Sequence, residues 1–89
     1  MGSPQQPSLR QAVGQRLREL RQRAEINSQE ALAHLAGVHR TYVGRVERGE
    51  SGVTVDSLAA LLGAMSIGLG EFFQPFKQPI HPRTPRRRD

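Results

Sequence analysis

The sequence contains no cysteine and no tryptophan, and its apolar runs are all short. Without cysteine, disulfide bonds, thiolate metal ligands and a cysteine nucleophile are excluded. A membrane-spanning helix needs about 20 consecutive apolar residues, and no stretch of this chain approaches that length. These absences predict a small protein of the reducing cytoplasm whose fold depends on a hydrophobic core.

The sequence also lacks the residue combinations of the common catalytic sites. It shows no Ser-His-Asp set, no pair of catalytic carboxylates and no glycine-rich phosphate loop. His34 follows Glu30 by four residues, a spacing that suits a metal, but no third ligand lies nearby and a solvated surface is the simpler interpretation. We therefore expect a binding protein without enzyme activity, metal, cofactor or small-molecule ligand.

The positive charge of the chain is concentrated at one end. The net charge is +5, and residues 75–89 hold five basic residues against one acid, so residues 1–74 carry only about +1. The same segment contains four prolines. We expect residues 1–7 and 75–89 to be disordered, and the basic tail either keeps the protein soluble or attracts phosphate without sequence preference.

Five segments carry apolar residues at helical spacing, and none alternates as a strand would. Ser8, Ser28 and Thr54 each stand where a helix N-cap is expected. The third segment follows Gly37 almost directly, and the fifth is the short stretch "GLGEFF", beyond which prolines end regular structure. The predicted fold class is all-α, with five helices in one domain at residues 8–74.

The second and third helices are separated by very little chain. Gly37 suits a left-handed helix end, and Ala33 is small enough for another helix to cross close over it. The apolar positions around them match two short helices that cross steeply, which is the helix-turn-helix pattern. The residues expected to face inward are Leu32, Leu35, Ala36, Val38, Val43 and Val46.

The stretch "SQEALAHLAGVHRTYVGRVERGESGVTVDSLAALL" resembles the Xre-type helix-turn-helix family, the group of the lambda repressor and Cro. The similarity covers Leu9 to Phe73, and "HRTYVGRVERG" followed by "VTVDSL" is most similar to the controller proteins of restriction–modification systems. It implies a compact five-helix lambda-repressor-like domain. It also implies a cytoplasmic transcription regulator, such as a repressor, that binds double-stranded DNA at a palindromic operator.

The resemblance implies a role for each position that matches the DNA-binding motif of the family. The third helix would be the recognition helix and would lie in the major groove. Its base-contacting residues would be Arg40, Thr41, Gly44 and Arg45. The phosphate-contacting residues would be Gln29, Tyr42, Arg48, Ser51 and Thr54.

Three of the matched positions leave alternatives open. Gly44 either lets the backbone approach DNA closely or is an unused position, and Tyr42 either donates to a phosphate or packs against the domain. Glu47 matches a glutamate that pairs, in the family, with an arginine of the first helix. Arg21 is the first candidate for that partner and Arg18 the second.

The sequence departs from the family pattern at the helix junctions. The connection "RAEINSQ" is one residue longer than usual and lacks the common glycine. Ser66 stands where a helix-ending glycine is typical, and Gly68 stands where a serine cap is typical. We expect the last two changes to weaken the junction of the fourth and fifth helices without altering the DNA-facing surface.

The C-terminal end of the domain has more apolar residues than a core of this size needs. Left exposed, they would form an association surface, and a homodimer is expected because one recognition helix contacts few base pairs. Alternatively, all of them fold back into one core. The predicted interface residues are Met65, Ile67, Leu69, Phe72, Phe73 and Phe76.

A second class of function is compatible with the same fold. The chain could be a protein-interaction module, such as an antitoxin or a coactivator subunit, for which DNA contact is secondary. The long donors at Arg40 and Arg45 favour DNA binding, because a protein-binding module has no need of them at positions that face the groove.

Overall fold

The fold is built from helices whose ends are marked by short polar side chains and by glycine. The computed structural model describes residues 8–77 and contains no strand in that range. The predicted all-α class and the five helices are confirmed; the predicted disordered segment 1–7 and nearly all of the predicted tail lie outside the described residues. The helices are α1 (Leu9–Arg23), α2 (Gln29–Ala36), α3 (Arg40–Glu47), α4 (Val55–Ala64) and α5 (Leu69–Phe73).

The N-caps anticipated from the sequence are formed by side chains. At α1 the Ser8 hydroxyl accepts from the Gln11 backbone N–H at 3.2 Å, while the Ser8 N–H donates to the Gln11 side chain at 2.9 Å. Ser28 and Thr54 accept in the same way at α2 and α4, each at 3.0 Å. At α3 the cap is His39, whose Nδ1 accepts from the backbone N–H of Thr41 at 3.1 Å. Each cap satisfies a backbone donor that the helix itself leaves unpaired.

Gly37 makes the abrupt turn between α2 and α3 possible. Its φ of 75° and ψ of 30° lie in the left-handed region, where a residue with a Cβ is strained. The N–H of Val38 donates to the carbonyl of Ala33 at 3.0 Å, and that of Gly37 donates to His34 at 3.3 Å. This is a Schellman arrangement, which ends α2 and starts the chain towards α3 within three residues.

The core lies where α1, α2, α3 and α4 meet, and α5 closes one end. One correction concerns Leu35, which was expected to face inward but is 58% exposed. On a helical projection Leu35 lies roughly 100° from the centre of the buried face of α2, so that Ala33 and Ala36 pack against the neighbouring helices instead. The fully buried side chains are Leu17, Leu32, Val43, Val46, Leu61, Leu62 and Phe72.

A glycine to which the sequence analysis gave no role sets the distance between α1 and α3. A Cβ on Gly14 would lie 2.7 Å from the carbonyl oxygen of Glu47 and closer still to that of Val46. Both are backbone atoms of α3, so a side chain at position 14 would force the two helices apart. Gly14 is therefore required for the close crossing that positions α3.

The short helix α5 is attached to α1 by one side chain and one ring. Arg16 donates through Nε to the carbonyl of Phe72 and through Nη2 to that of Glu71, both at 2.9 Å. The Phe72 ring is completely buried in the core. A five-residue helix has little stability of its own, so these contacts hold it in place.

The junction of α4 and α5 carries the two departures noted in the sequence. Ser66 adopts a φ of 59°, in the left-handed region that favours glycine. Gly68 is the N-cap of α5 but has no side chain with which to accept a hydrogen bond. Both residue choices cost stability at this junction.

Replacing Ser66 by glycine should therefore stabilise the protein. We expect Ser66→Gly to raise the free energy of unfolding by about 0.5–1 kcal/mol, because the left-handed conformation is then unstrained. Urea denaturation measures the change. The matched control is Ser57→Gly, the same exchange inside α4, which should destabilise the protein because glycine weakens a helix. A lower stability for Ser66→Gly would contradict the strain assigned to this residue.

Candidate nucleic-acid interface

A buried ion pair orients α3 on the rest of the domain. Arg21 donates to Glu47 through Nε at 2.7 Å and through Nη2 at 3.1 Å, and the two side chains are only 7% and 1% exposed. The remaining polar contacts are also filled: Arg21 Nη1 donates to the carbonyl of Ile26, and Gln29 Nε2 donates to Glu47 at 3.0 Å. Arg21 is thus the partner of Glu47, whereas Arg18 lies exposed on α1.

The outer face of α3 carries the polar side chains that were predicted to contact bases. Arg40, Thr41 and Arg45 are exposed, while Val43 and Val46 on the opposite face are buried. Arg40 Nη1 lies 3.3 Å from a carboxylate oxygen of Glu30, but both side chains are more than two-thirds exposed. An ion pair this open to water contributes little, so Arg40 can exchange it for another anionic partner.

Gly44 is covered by other side chains, although it belongs to the set that was predicted to contact bases. The structure brings the side-chain ends of Gln29 and Arg48 over it, and the glycine is buried. Its outer surface is therefore occupied by two residues that were themselves predicted to contact phosphate. The two sequence-based interpretations of Gly44, close approach of its backbone to DNA or an unused position, did not include coverage by Gln29 and Arg48.

Arg48 is held at the C-terminal end of α3 by a neighbouring acid. It donates to Glu50 through Nε at 3.0 Å and through Nη2 at 3.3 Å. The hydrogen bond to Glu50 raises the pKa of Arg48, and the same bond lowers the pKa of Glu50. The two side chains are about half exposed, so the guanidinium remains open to solvent.

The loop between α3 and α4 presents the remaining predicted phosphate contacts. Ser51 donates its hydroxyl to the carbonyl of Gly52 at 3.1 Å, and Thr54 uses its oxygen to cap α4. Arg10 of α1 reaches this loop, since its Nε lies 3.3 Å from the place where a Cβ of Gly52 would stand. The loop thus offers hydroxyl groups next to Arg10.

Tyr42 packs against its own domain, which is one of the two roles that the sequence left open. It is half-buried and packs against the hydrophobic core. Within residues 8–77 its hydroxyl has no hydrogen-bond partner. The ring therefore serves packing, while the hydroxyl remains available to a group outside the domain.

The predicted association residues divide between the core and the surface. Phe72 belongs to the core of its own chain and has no surface left for a partner. Leu69 and Phe73 are 40% and 39% exposed. Met65, Ile67 and Phe76 are half-buried against the core, and the Phe73 ring contacts those of Phe72 and Phe76 edge-on at centroid distances of 4.8 and 5.3 Å. The exposed part of the group thus consists mainly of Leu69 and Phe73.

Phe73 also lines a cleft of about 590 Å³ between the start of α1, the α3–α4 loop and α4. Val55, which is 69% exposed, lies on the same cleft.

Within residues 8–77 no three His, Asp or Glu side chains are grouped as metal ligands would be. The helices in this range are too short or too polar to cross a membrane.

Fold and site together define a class of protein. Residues 17–72 match the helix-turn-helix family, and the motif formed by α2, Gly37 and α3 lies within that match. The chain belongs to this family of DNA-binding transcription regulators.

Individual proteins similar to this chain include control proteins and a restriction-modification controller protein. Control protein C.SmaI of Serratia marcescens is 51% identical over 39 residues, and that match spans 44% of this chain and less than half (46%) of that protein. Control protein C.BamHI of Bacillus amyloliquefaciens is 33% identical over 60 residues, 67% of this chain and 74% of that protein. The crystal structure of the restriction-modification controller protein C.AhdI from Aeromonas hydrophila has a TM-score of 0.67 at 47% identity, covering 72% of this chain and 91% of that one.

Breaking the buried ion pair should destabilise the domain strongly. We expect Glu47→Ala to lower the free energy of unfolding by about 3–5 kcal/mol, because it leaves Arg21 charged and buried without a partner. Glu50→Ala removes an exposed carboxylate from a second arginine pair and should cost far less, because water screens that pair. Denaturant melts compare the two variants, and equal losses would show that burial of the pair is not what matters.

Proposed function

We propose that the chain is a sequence-specific transcription regulator that binds a palindromic operator in double-stranded DNA. The observation that supports this most directly is the exposed row of donors on α3, a helix that is itself held rigidly by Gly14 and by the Arg21–Glu47 pair. A helix fixed in this way can enter the major groove with its polar face towards the base edges.

The donors on α3 have the chemistry that base recognition requires. Arg40 and Arg45 each offer two parallel N–H groups, which match the O6 and N7 acceptors of guanine, and Thr41 offers a hydroxyl and a methyl group. Gln29, Tyr42, Arg48, Ser51 and Thr54 flank this row and would contact phosphates on either side. Phosphate contacts set the register of the protein on DNA, so they complement the base contacts without duplicating them.

The similarity to control proteins supports a more specific setting for this regulator. C.AhdI is a restriction-modification controller protein, and it shares 47% identity with this chain over the aligned region. We place this protein in the same role, as a regulator of restriction–modification genes. The alternative of an antitoxin or coactivator-type module is less well supported, because the outer face of α3 carries hydrogen-bond donors and no apolar patch.

The regulator would act as a homodimer that associates through α5 and its surroundings. Leu69 and Phe73 are exposed there, with Met65, Ile67 and Phe76 half-buried beside them. A two-fold axis near this surface would set the two α3 helices about 34 Å apart, which is one turn of B-DNA. A palindromic site follows from that symmetry.

The two arginines of α3 should carry the sequence discrimination. Sites selected from random duplex DNA would serve as ligands, and we expect Arg40→Ala and Arg45→Ala each to lose about 1–3 kcal/mol of binding and to relax the preference at particular base pairs. Gln29→Ala should weaken all sites similarly. Arg18→Ala, which removes an exposed arginine of α1, is the control for loss of charge. Unchanged site preference in both arginine variants would rule out α3 as the recognition helix.

The dimer is tested by sedimentation at micromolar concentration. The native chain should sediment as a dimer, and Phe73→Lys should sediment as a monomer because a charge at the interface is desolvated without a partner. Leu35→Lys, which alters an exposed leucine of α2, should remain dimeric. A monomeric native chain that binds a single half-site tightly would remove the dimer from the proposal.

A further inference from the structure

A glycine in the middle of the proposed recognition helix needs an explanation. Gly44 is the fifth of the eight residues of α3, and glycine destabilises a helix interior relative to alanine. Its backbone has ordinary helical geometry, since the left-handed glycines of the described residues are Gly37 and Gly49. The conformation of α3 therefore gives no reason for a glycine at this position.

The atoms that exclude a side chain at position 44 are all ends of flexible side chains. A Cβ there would lie 2.9 Å from Arg48 Nη1 and 2.9 Å from Gln29 Oε1. At Gly14, by contrast, the obstacles are carbonyl oxygens of α3. The fold thus requires glycine at position 14, whereas alanine at position 44 would only displace the ends of Arg48 and Gln29.

The Arg48 guanidinium is fixed on two sides. Its Nε and Nη2 atoms donate to the Glu50 carboxylate, and its Nη1 atom lies against Gly44. Within the part of the chain that the structure describes, Nη1 makes no hydrogen bond. The edge formed by Nη1 and Nη2 therefore keeps N–H groups for an outside acceptor, and such a fork matches the oxygens of a phosphate.

We propose that Gly44 is a positioning residue for DNA binding and that it acts through Arg48. The missing side chain leaves a seat on α3 in which the Arg48 guanidinium rests, clamped by Glu50 and bordered by Gln29. Seated there, the guanidinium is oriented before DNA arrives, so less conformational freedom is lost when it contacts a phosphate. This inference rests on the proposed function. Within that function, Gly44 orients Arg48 and does not contact DNA itself.

A double-mutant cycle tests this coupling. The variants are Gly44→Ala, Arg48→Ala and the combination, measured against a duplex selected by the native protein. Gly44→Ala and Arg48→Ala should each weaken binding on the order of tenfold and lower the dependence of affinity on salt, whereas the combination should bind no more weakly than Arg48→Ala alone. Gly44→Ala should melt at the same temperature as the native protein or higher, because alanine favours the helix.

Gly63→Ala is the matched control. Gly63 also lies inside a helix, and a Cβ there would meet no atom within 4 Å, so its replacement should stabilise the fold and leave DNA binding unchanged. The proposed role of Gly44 would be wrong if Gly44→Ala bound DNA with native affinity. It would also be wrong if Gly44→Ala reduced the affinity equally in the presence and in the absence of the Arg48 side chain. Failure of the native protein to enrich any duplex would instead overturn the proposed function, so the two failures are distinguishable.

Discussion

The orientation of α3 depends on the buried contact between Arg21 and Glu47. Because both charges are out of water, displacing either one leaves the other uncompensated, and this ties the end of α1 to the end of α3. The same carboxylate accepts from Gln29, so the start of α2 joins the network. Three helices thus meet at one polar centre, and the angle at which α3 presents its outer face follows from it.

Charges in this domain fall into two groups with different physical roles. The Arg21–Glu47 pair is buried and structural, whereas the pairs of Arg40 with Glu30 and of Arg48 with Glu50 are open to water. Exposed pairs contribute little to stability. The acids on this surface therefore balance the arginines of the free protein while both guanidinium groups stay open to water, which agrees with the small net charge of residues 1–74.

The sequence was informative where structure is determined locally. The caps at Ser8, Ser28 and Thr54 and the turn at Gly37 each depend on residues within a few positions, and all are present. Leu35 was misplaced because a helix of eight residues shows its periodicity too briefly to separate the flank of the buried face from its centre. The contacts of Gly14 and Arg16 join segments that are far apart in the sequence, and Gly44 lies against the ends of two other side chains. No local sequence pattern indicates such contacts. The Arg21–Glu47 pair was anticipated only through family resemblance.

Two residues of α1, two positions apart, fix the positions of α3 and α5. Gly14 admits the backbone of α3, while Arg16, roughly 200° around the helix, grips the carbonyls of α5. The outer face of α3 and the exposed residues of α5 are therefore both positioned by α1, a single helix of fifteen residues. The exposed residues of α5 are consequently held at a set distance from the outer face of α3. In this way α1, which carries none of the residues predicted to contact DNA or a second copy of the chain, sets the spacing between α3 and α5.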